Sequence, residues 1–427
     1  MQLPYLLVAD NSGNIFELKK YEAVGRSGNE IIRLKMSDFI ELPHGSELFF
    51  LPKRNPYGFN KISNNLEINE NYNAVAAFVA PAFTQTYLAA YHTNPDAPLL
   101  PLYAYSCVGW KNGKYYTTAL RIDDDRRQDP DQFSISIIKK RVDDFRKKYK
   151  NNRLLEHLAE NCALNYCCRA AQNYFLGRWE CPLPVSRVCN ASCQGCLSFQ
   201  PEENKINPAQ FRLSFKPSVK EITEIAVDHL NNAPNPVVSF GQGCEGEPLL
   251  EAELIKEAIT EIRKKTKKGI INLNTNASRP YAVEQLCKAG LQSIRISMNS
   301  AVEEWYNLYF NPKNYSFSDV LNSIKIANQY NIWVSINYFV FPGMTDSKTE
   351  TDSFYKLLSR FRIDMIQWRN FNIDPDWYLS NFSFTGQTEN IGVKNLINDI
   401  KVRFPHLTYG YYNPGEAIIK KSRKKSD

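Results

Sequence analysis

The chain has 427 residues, 43% hydrophobic and 23% charged, with a formal net charge of +7. These values describe an ordinary globular protein of two or three domains. They exclude a membrane-spanning chain, because the longest apolar run, Ala74 to Phe83, is interrupted by Pro81 and falls short of the ~20 residues of a span.

Met1-Gln2-Leu3-Pro4 lacks the basic start and small-residue cleavage site of a signal peptide, which predicts a cytoplasmic protein. Ten cysteines in a reducing compartment then point to metal or redox chemistry rather than disulfides. Residues 1–130 read as a β-rich N-terminal domain. Ile32 to Leu42 and Ser46 to Leu51 have strand composition, and Val75 to His92 is too mixed to assign. Leu102 to Trp110 and Lys114 to Ile122 flank Asn112-Gly113, a hairpin signal. Its one cysteine is Cys107, and it carries no acidic or histidine cluster suited to metal or acid–base work, so it is expected to be a separate unit shaping access to the chemistry.

Residues 131–180 form a helical connector. Ile137, Ile138, Val142 and Phe145 recur at helical spacing, and a second helix is expected from Arg153 to Phe175, ending near Gly177. It carries Cys162, Cys167 and Cys168, with Cys181 just beyond. These read as small packing residues beside Ala159, Ala163 and Ala170, with an auxiliary cluster as the alternative.

From 181 to 410 the pattern is strand, loop, helix, repeated. Strands are expected at Leu183–Val188, Val237–Phe240, Ile270–Asn274, Ser293–Ser297, Val334–Phe339 and Met365–Phe371. Ser218 with Glu221, and Ser347 with Glu350, cap two of the intervening helices. Six such units imply a parallel sheet with helices outside and an active site at the C-terminal ends of the strands. Residues 411–427 are a basic tail, Lys420-Lys421-Ser422-Arg423-Lys424-Lys425, read as a solvated end rather than a nucleic-acid arm.

The first strand runs into Cys189-Asn190-Ala191-Ser192-Cys193-Gln194-Gly195-Cys196. Three thiolates on one loop can hold three irons of a [4Fe–4S] cluster and leave the fourth open to a small molecule. A zinc knuckle or three unrelated buried cysteines are the alternatives. The CxxxCxxC spacing resembles the cluster motif of the radical S-adenosylmethionine (SAM) superfamily, with Gly195 where many members have an aromatic residue. That resemblance implies Cys189, Cys193 and Cys196 as ligands, SAM on the open iron, and reductive cleavage of SAM to a 5′-deoxyadenosyl radical. It also implies a partial (β/α)6 barrel and an external one-electron donor such as flavodoxin or ferredoxin.

The later strand ends follow the same order. Gly246-Glu247-Pro248 resembles the motif that meets the SAM amino group, with Glu245 in place of its first glycine, so Gly246 and Glu247 are assigned to SAM. Asn274-Thr275-Asn276 resembles the Thr-Asn-Gly type end. Ser297 and Asn299 resemble the pair that reaches the ribose, and strand alternation puts Arg295 on their face. Arg369 points to a carboxylate or phosphate of SAM or substrate, and Cys244, inside the SAM loop, is a candidate hydrogen-atom donor or attachment point. The resemblance covers residues 180 to 375 and names no substrate. Three readings follow: a radical SAM enzyme acting on a peptide, protein or RNA; one acting on a small metabolite; and a non-enzymatic iron–sulfur or zinc protein.

Overall fold

A computed structural model describes residues 2–382 and 389–426, with the side chains of residues 424–426, Lys424 and Lys425 among them, outside that description. The first 121 residues are built from short strands, most of them in one antiparallel ten-stranded sheet. The expected hairpin is present: Val108–Lys111 pairs with Lys114–Thr117. Asn112 (φ 49°) and Gly113 (φ 77°) supply the two positive-φ residues such a two-residue turn requires. Ile32 to Leu42 is not one strand. Asp38 accepts a hydrogen bond from the Lys35 amide at 2.7 Å and folds Met36–Asp38 into a 3₁₀ turn, which separates Ile32, the end of the strand Glu30–Ile32, from the strand Ile40–Glu41. Val75 to His92 resolves into the end of Asn73–Phe78 and three short strands, Phe83–Gln85, Leu88–Ala89 and Tyr91–Thr93.

In the connector, Ile135–Lys148 is helical as the spacing predicts, burying Ile138 and Val142. The second helix is broken. After Arg153–Glu156 the chain widens into a π-helix over His157–Asn165, turns at Cys167 (φ 50°), and resumes as Arg169–Phe175.

The second half is a seven-stranded sheet. Strands β1 (Glu180–Leu183), β2 (Val237–Phe240), β3 (Ile270–Thr275), β4 (Ser293–Met298), β5 (Trp333–Val340), β6 (Met365–Asn370) and β7 (Thr408–Tyr409) lie in chain order, each parallel to its neighbours. β1 begins three residues before the expected strand and ends at Leu183, where Pro184 follows. β7 has no counterpart in the six-strand reading, since two residues leave no periodic signal. β2 and β3 are buried at every position, as expected of parallel strands covered on both faces. The predicted caps form: Ser218 and Glu221 make a reciprocal capping box before Val219–Asn232, and Ser347 accepts from the Glu350 amide before Lys348–Arg360.

The two halves are joined at the C-terminal ends of β5 and β6. Thr84 Oγ1 donates to the Trp368 carbonyl at 2.8 Å, and the Gln85 amide donates to Asn370 Oδ1 at 2.8 Å. The Gly28 amide donates to the Pro342 carbonyl at 2.8 Å. Arg54 pairs with Asp374 at 2.7 Å, both side chains at most 2% exposed. At the opposite end, the basic C-terminus is a helix, Glu416–Ser426, not a free tail. Ile419 packs with Trp179, Tyr412 and the first residues of four strands, Val237, Ile270, Trp333 and Met365. Among the described residues no helix is long and apolar enough to cross a membrane.

His229, on Val219–Asn232, is buried with Nε2 2.9 Å from the Trp179 carbonyl. Burial lowers it from 6.5 to about 4. The unfolded chain therefore takes up this proton first as pH falls. The stability that His229 withholds from protonation is fully present above pH 6.5 and is lost as pH falls toward 4. Two and a half pH units correspond to ~3 kcal/mol. His229→Gln should flatten the pH dependence of chemical denaturation in that window by about this amount. An unchanged slope would show that His229 titrates normally in the folded protein.

Candidate active site

The cysteine loop is fixed by backbone rather than by its thiols. The Ser192 amide donates to the Phe310 carbonyl at 3.0 Å, Gln194 N to Tyr309 O at 3.0 Å, and Lys313 N to Asn190 O at 2.8 Å. The loop after β2 is laced to the chain leading into it. Gly246 N donates to Ser186 O at 2.8 Å and Glu247 N to Val188 O at 2.9 Å. A Cβ on Gly246 would stand 1.9 Å from the Val188 carbonyl oxygen, so only glycine permits this approach.

Glu245, the residue that replaces the expected glycine, has a structural task that the motif does not reveal. Its carboxylate accepts from the amides of Val185 (2.8 Å), Ser186 (2.9 Å) and Gln242 (2.7 Å), tying β1 to the β2 loop. Burial pushes it up to about 8 against the pull of those amides. Glu247 lines the cavity, but its oxygens are already engaged by the amides of Leu249 and Asn276, each at 2.9 Å, and by the Thr275 hydroxyl. Burial pushes Glu247 up to about 7.

These loops surround a cavity of about 420 Å³ at the strand ends. Cys189, Cys193, Gly246, Glu247, Asn274, Ser297 and Arg369 all line it. Asn274 uses its side chain on the loop, donating to the Gly241 carbonyl at 2.6 Å. Asn337 also lines the cavity, and its buried Oδ1 has no hydrogen-bond partner. Arg295 and Arg369 reach in from β4 and β6. Arg295 donates to Gln367 Oε1 at 3.0 Å, and Arg369 donates to the Tyr411 carbonyl at 3.0 Å, its guanidinium 3.5 Å from the centre of the Tyr411 ring. Among the described residues no carboxylate forms an ion pair with either. Burial and the neighbouring Arg369 lower Arg295 to about 9.

Three expected residues lie elsewhere. Cys196 is outside the cavity wall, 3.7 Å from an Arg212 nitrogen. Asn299 falls just past the end of β4 and turns behind it, donating to the Trp305 carbonyl at 3.1 Å and to Tyr378 at 3.2 Å, so it does not share the cavity with Ser297. Cys244 is 2% exposed and faces Cys162, with the sulfurs 3.5 Å apart. It is not among the residues that line the cavity. Phe78, Val79 and Pro81 of the β-rich half line the cavity as well. Nothing local to those residues in the sequence marks them, because their role exists only through the docking of the two halves.

Cys189, Cys193 and Cys196 offer three thiols from one loop, with Cys189 and Cys193 in the cavity wall, and thiolates are the donors that an iron–sulfur cluster takes.

Residues 183–354 match the family model of the radical SAM superfamily. An uncharacterized protein of Methanocaldococcus jannaschii is 33% identical over 103 residues, which are 24% of this chain and 35% of that protein. Two solved structures are similar to parts of the chain. Native anSMEcpe with bound AdoMet is 20% identical (TM-score 0.34), over 44% of this chain and 50% of that one. HydG, a maturase of the [FeFe]-hydrogenase, is 15% identical (TM-score 0.40), over 69% and 70%. Identities and TM-scores this low transfer no function.

Proposed function

Because residues 183–354 carry a radical SAM superfamily domain, we propose that this protein is an enzyme that binds a [4Fe–4S] cluster through Cys189, Cys193 and Cys196 and SAM in the adjoining cavity. When bound, the cluster supplies one electron for reductive cleavage of SAM. The observation that carries the reading is the convergence of Cys189, Cys193, Gly246 and the unpaired Arg295–Arg369 couple on one cavity at the strand ends. In this reading the two guanidiniums take a carboxylate and the free Asn337 Oδ1 accepts a hydrogen bond. The β2 loop, held open by Glu245 and Glu247, presents backbone to an ammonium group. Ser297 reaches a ribose hydroxyl. Asn299 and Glu247 act as positioning residues.

The seven-stranded sheet is read as the partial (β/α)6 barrel with one added strand, and the β-rich half as its roof, excluding water through Phe78, Val79 and Pro81. A peptide, protein or RNA presents the reacting group, and a flavodoxin or ferredoxin in the cytoplasm supplies the electron. Val188, Phe199 and Phe211, all more than half exposed around the cysteine loop, offer the donor an apolar landing.

Anaerobically reconstituted, dithionite-reduced protein should convert SAM to 5′-deoxyadenosine and methionine without substrate. Arg369→Met should weaken SAM binding roughly 10- to 150-fold, the loss of ~1.5–3 kcal/mol for a charged hydrogen bond, with iron content unchanged. Absence of 5′-deoxyadenosine from cluster-loaded protein would overturn the reading.

A further inference from the structure

The cavity at the strand ends leaves one group of ligating side chains unused. His157, Cys162 and Cys244 bring three donor atoms within 4.8 Å of one another behind the β2 loop. We propose that these residues form a second, mononuclear metal site that takes one zinc(II) ion, independent of any cluster on the Cys189–Cys196 loop.

The local structure is shaped for it. Residues five apart on an α-helix lie ~140° apart around its axis, so His157 and Cys162 would diverge. The π-helix over His157–Asn165 bonds each residue to the fifth beyond it, and this stacks the two side chains on one face. A widened turn costs packing and hydrogen-bond geometry, and such turns gather at functional sites. The third donor arrives from 82 residues away in sequence, with the Cys162 and Cys244 sulfurs 3.5 Å apart. Two thiolates on one tetrahedral zinc stand ~3.8 Å apart.

His157 Nε2 is buried without a hydrogen-bond partner. A disulfide between the two cysteines would leave that nitrogen orphaned, whereas a metal ion can use the imidazole. Charge also balances: zinc displaces two thiol protons, and two thiolates with one neutral imidazole leave the buried complex with no net charge. Soft sulfur with imidazole favours zinc over magnesium, calcium or manganese. The fourth corner belongs to water. Such an ion would pin the loop bearing Gly246 and Glu247 to the connector.

Zinc measured by elemental analysis on the full-length protein should be one per chain. It should survive the combined replacement of Cys189, Cys193 and Cys196 by alanine, and vanish in Cys162→Ser, Cys244→Ser and His157→Ala. Cobalt(II) exchanged into the wild-type chain, and into the chain lacking the three loop cysteines, should give sulfur-to-metal charge-transfer absorption. That spectrum decides the matter even where a single variant fails to fold. Zinc that is lost with the three loop cysteines, a cobalt spectrum without sulfur ligation, or a mass two hydrogens low from a Cys162–Cys244 disulfide would each overturn the site. None of these results depends on whether SAM is cleaved.

Discussion

Replacing Cys189, Cys193 and Cys196 together by alanine should leave a folded protein that retains no iron or sulfide and forms no 5′-deoxyadenosine. The loss is complete because each thiolate is a bond to the group, whereas the loop is held by amides bonded to Phe310, Tyr309 and Asn190. Removing the sulfurs therefore leaves the peptide path in place, and a thermal melt should move by only a few degrees, corresponding to ~1 kcal/mol. Iron and sulfide quantitation with near-UV absorption checks the first part, and far-UV circular dichroism the second. Full retention of iron and sulfide in the triple variant would place the cluster elsewhere. Collapse of the fold would show that the loop depends on its cysteines after all.

Arg54→Met should destabilise the protein by ~3–5 kcal/mol, the usual consequence of stripping one partner from a buried ion pair. Asp374 is 1% exposed, accepts from the Leu100 amide at 2.9 Å, and caps the helix Pro375–Leu379. Without Arg54 its carboxylate is stranded where the two halves meet. Pairing Arg54→Met with Asp374→Asn should recover part of the loss, since the buried charge is then gone. Urea denaturation of the wild-type chain and the two variants measures the difference, and a change under ~1 kcal/mol for Arg54→Met would show that solvent reaches this contact. The same geometry changes what truncation should do. The sequence suggests that a chain beginning near Gln132, provided it folds, keeps the cluster and substrate-free SAM cleavage and loses action on the true substrate. Yet a chain starting near Gln132 would uncover Asp374, Asn370 and the Trp368 carbonyl at the ends of the strands carrying the site, and it should not fold stably.

Much of the site is legible in the sequence because it is written in local spacing. Three cysteines in eight residues and Gly246-Glu247-Pro248 after a buried strand mark their loops by spacing, and Arg295 two residues before Ser297 shares its face by strand alternation. The buried runs of β2 and β3 and the capping residues Ser218, Glu221, Ser347 and Glu350 likewise placed strands and helices in order. What the sequence alone could not decide is where loop side chains turn and what distant chain meets them. Cys244 faces Cys162 rather than the cavity, because a π-turn 82 residues upstream offers it a partner. Asn299 leaves the face of Ser297 because alternation stops where β4 stops. Glu245 breaks the glycine motif because its carboxylate is needed by three amides, two of them on the chain leaving β1. The basic tail becomes a helix because the lower ends of four strands expose Val237, Ile270, Trp333 and Met365 for Ile419 to cover. Local pattern sets the period of each element. Burial against residues far away in sequence sets the direction of each side chain, and only the folded chain contains those contacts.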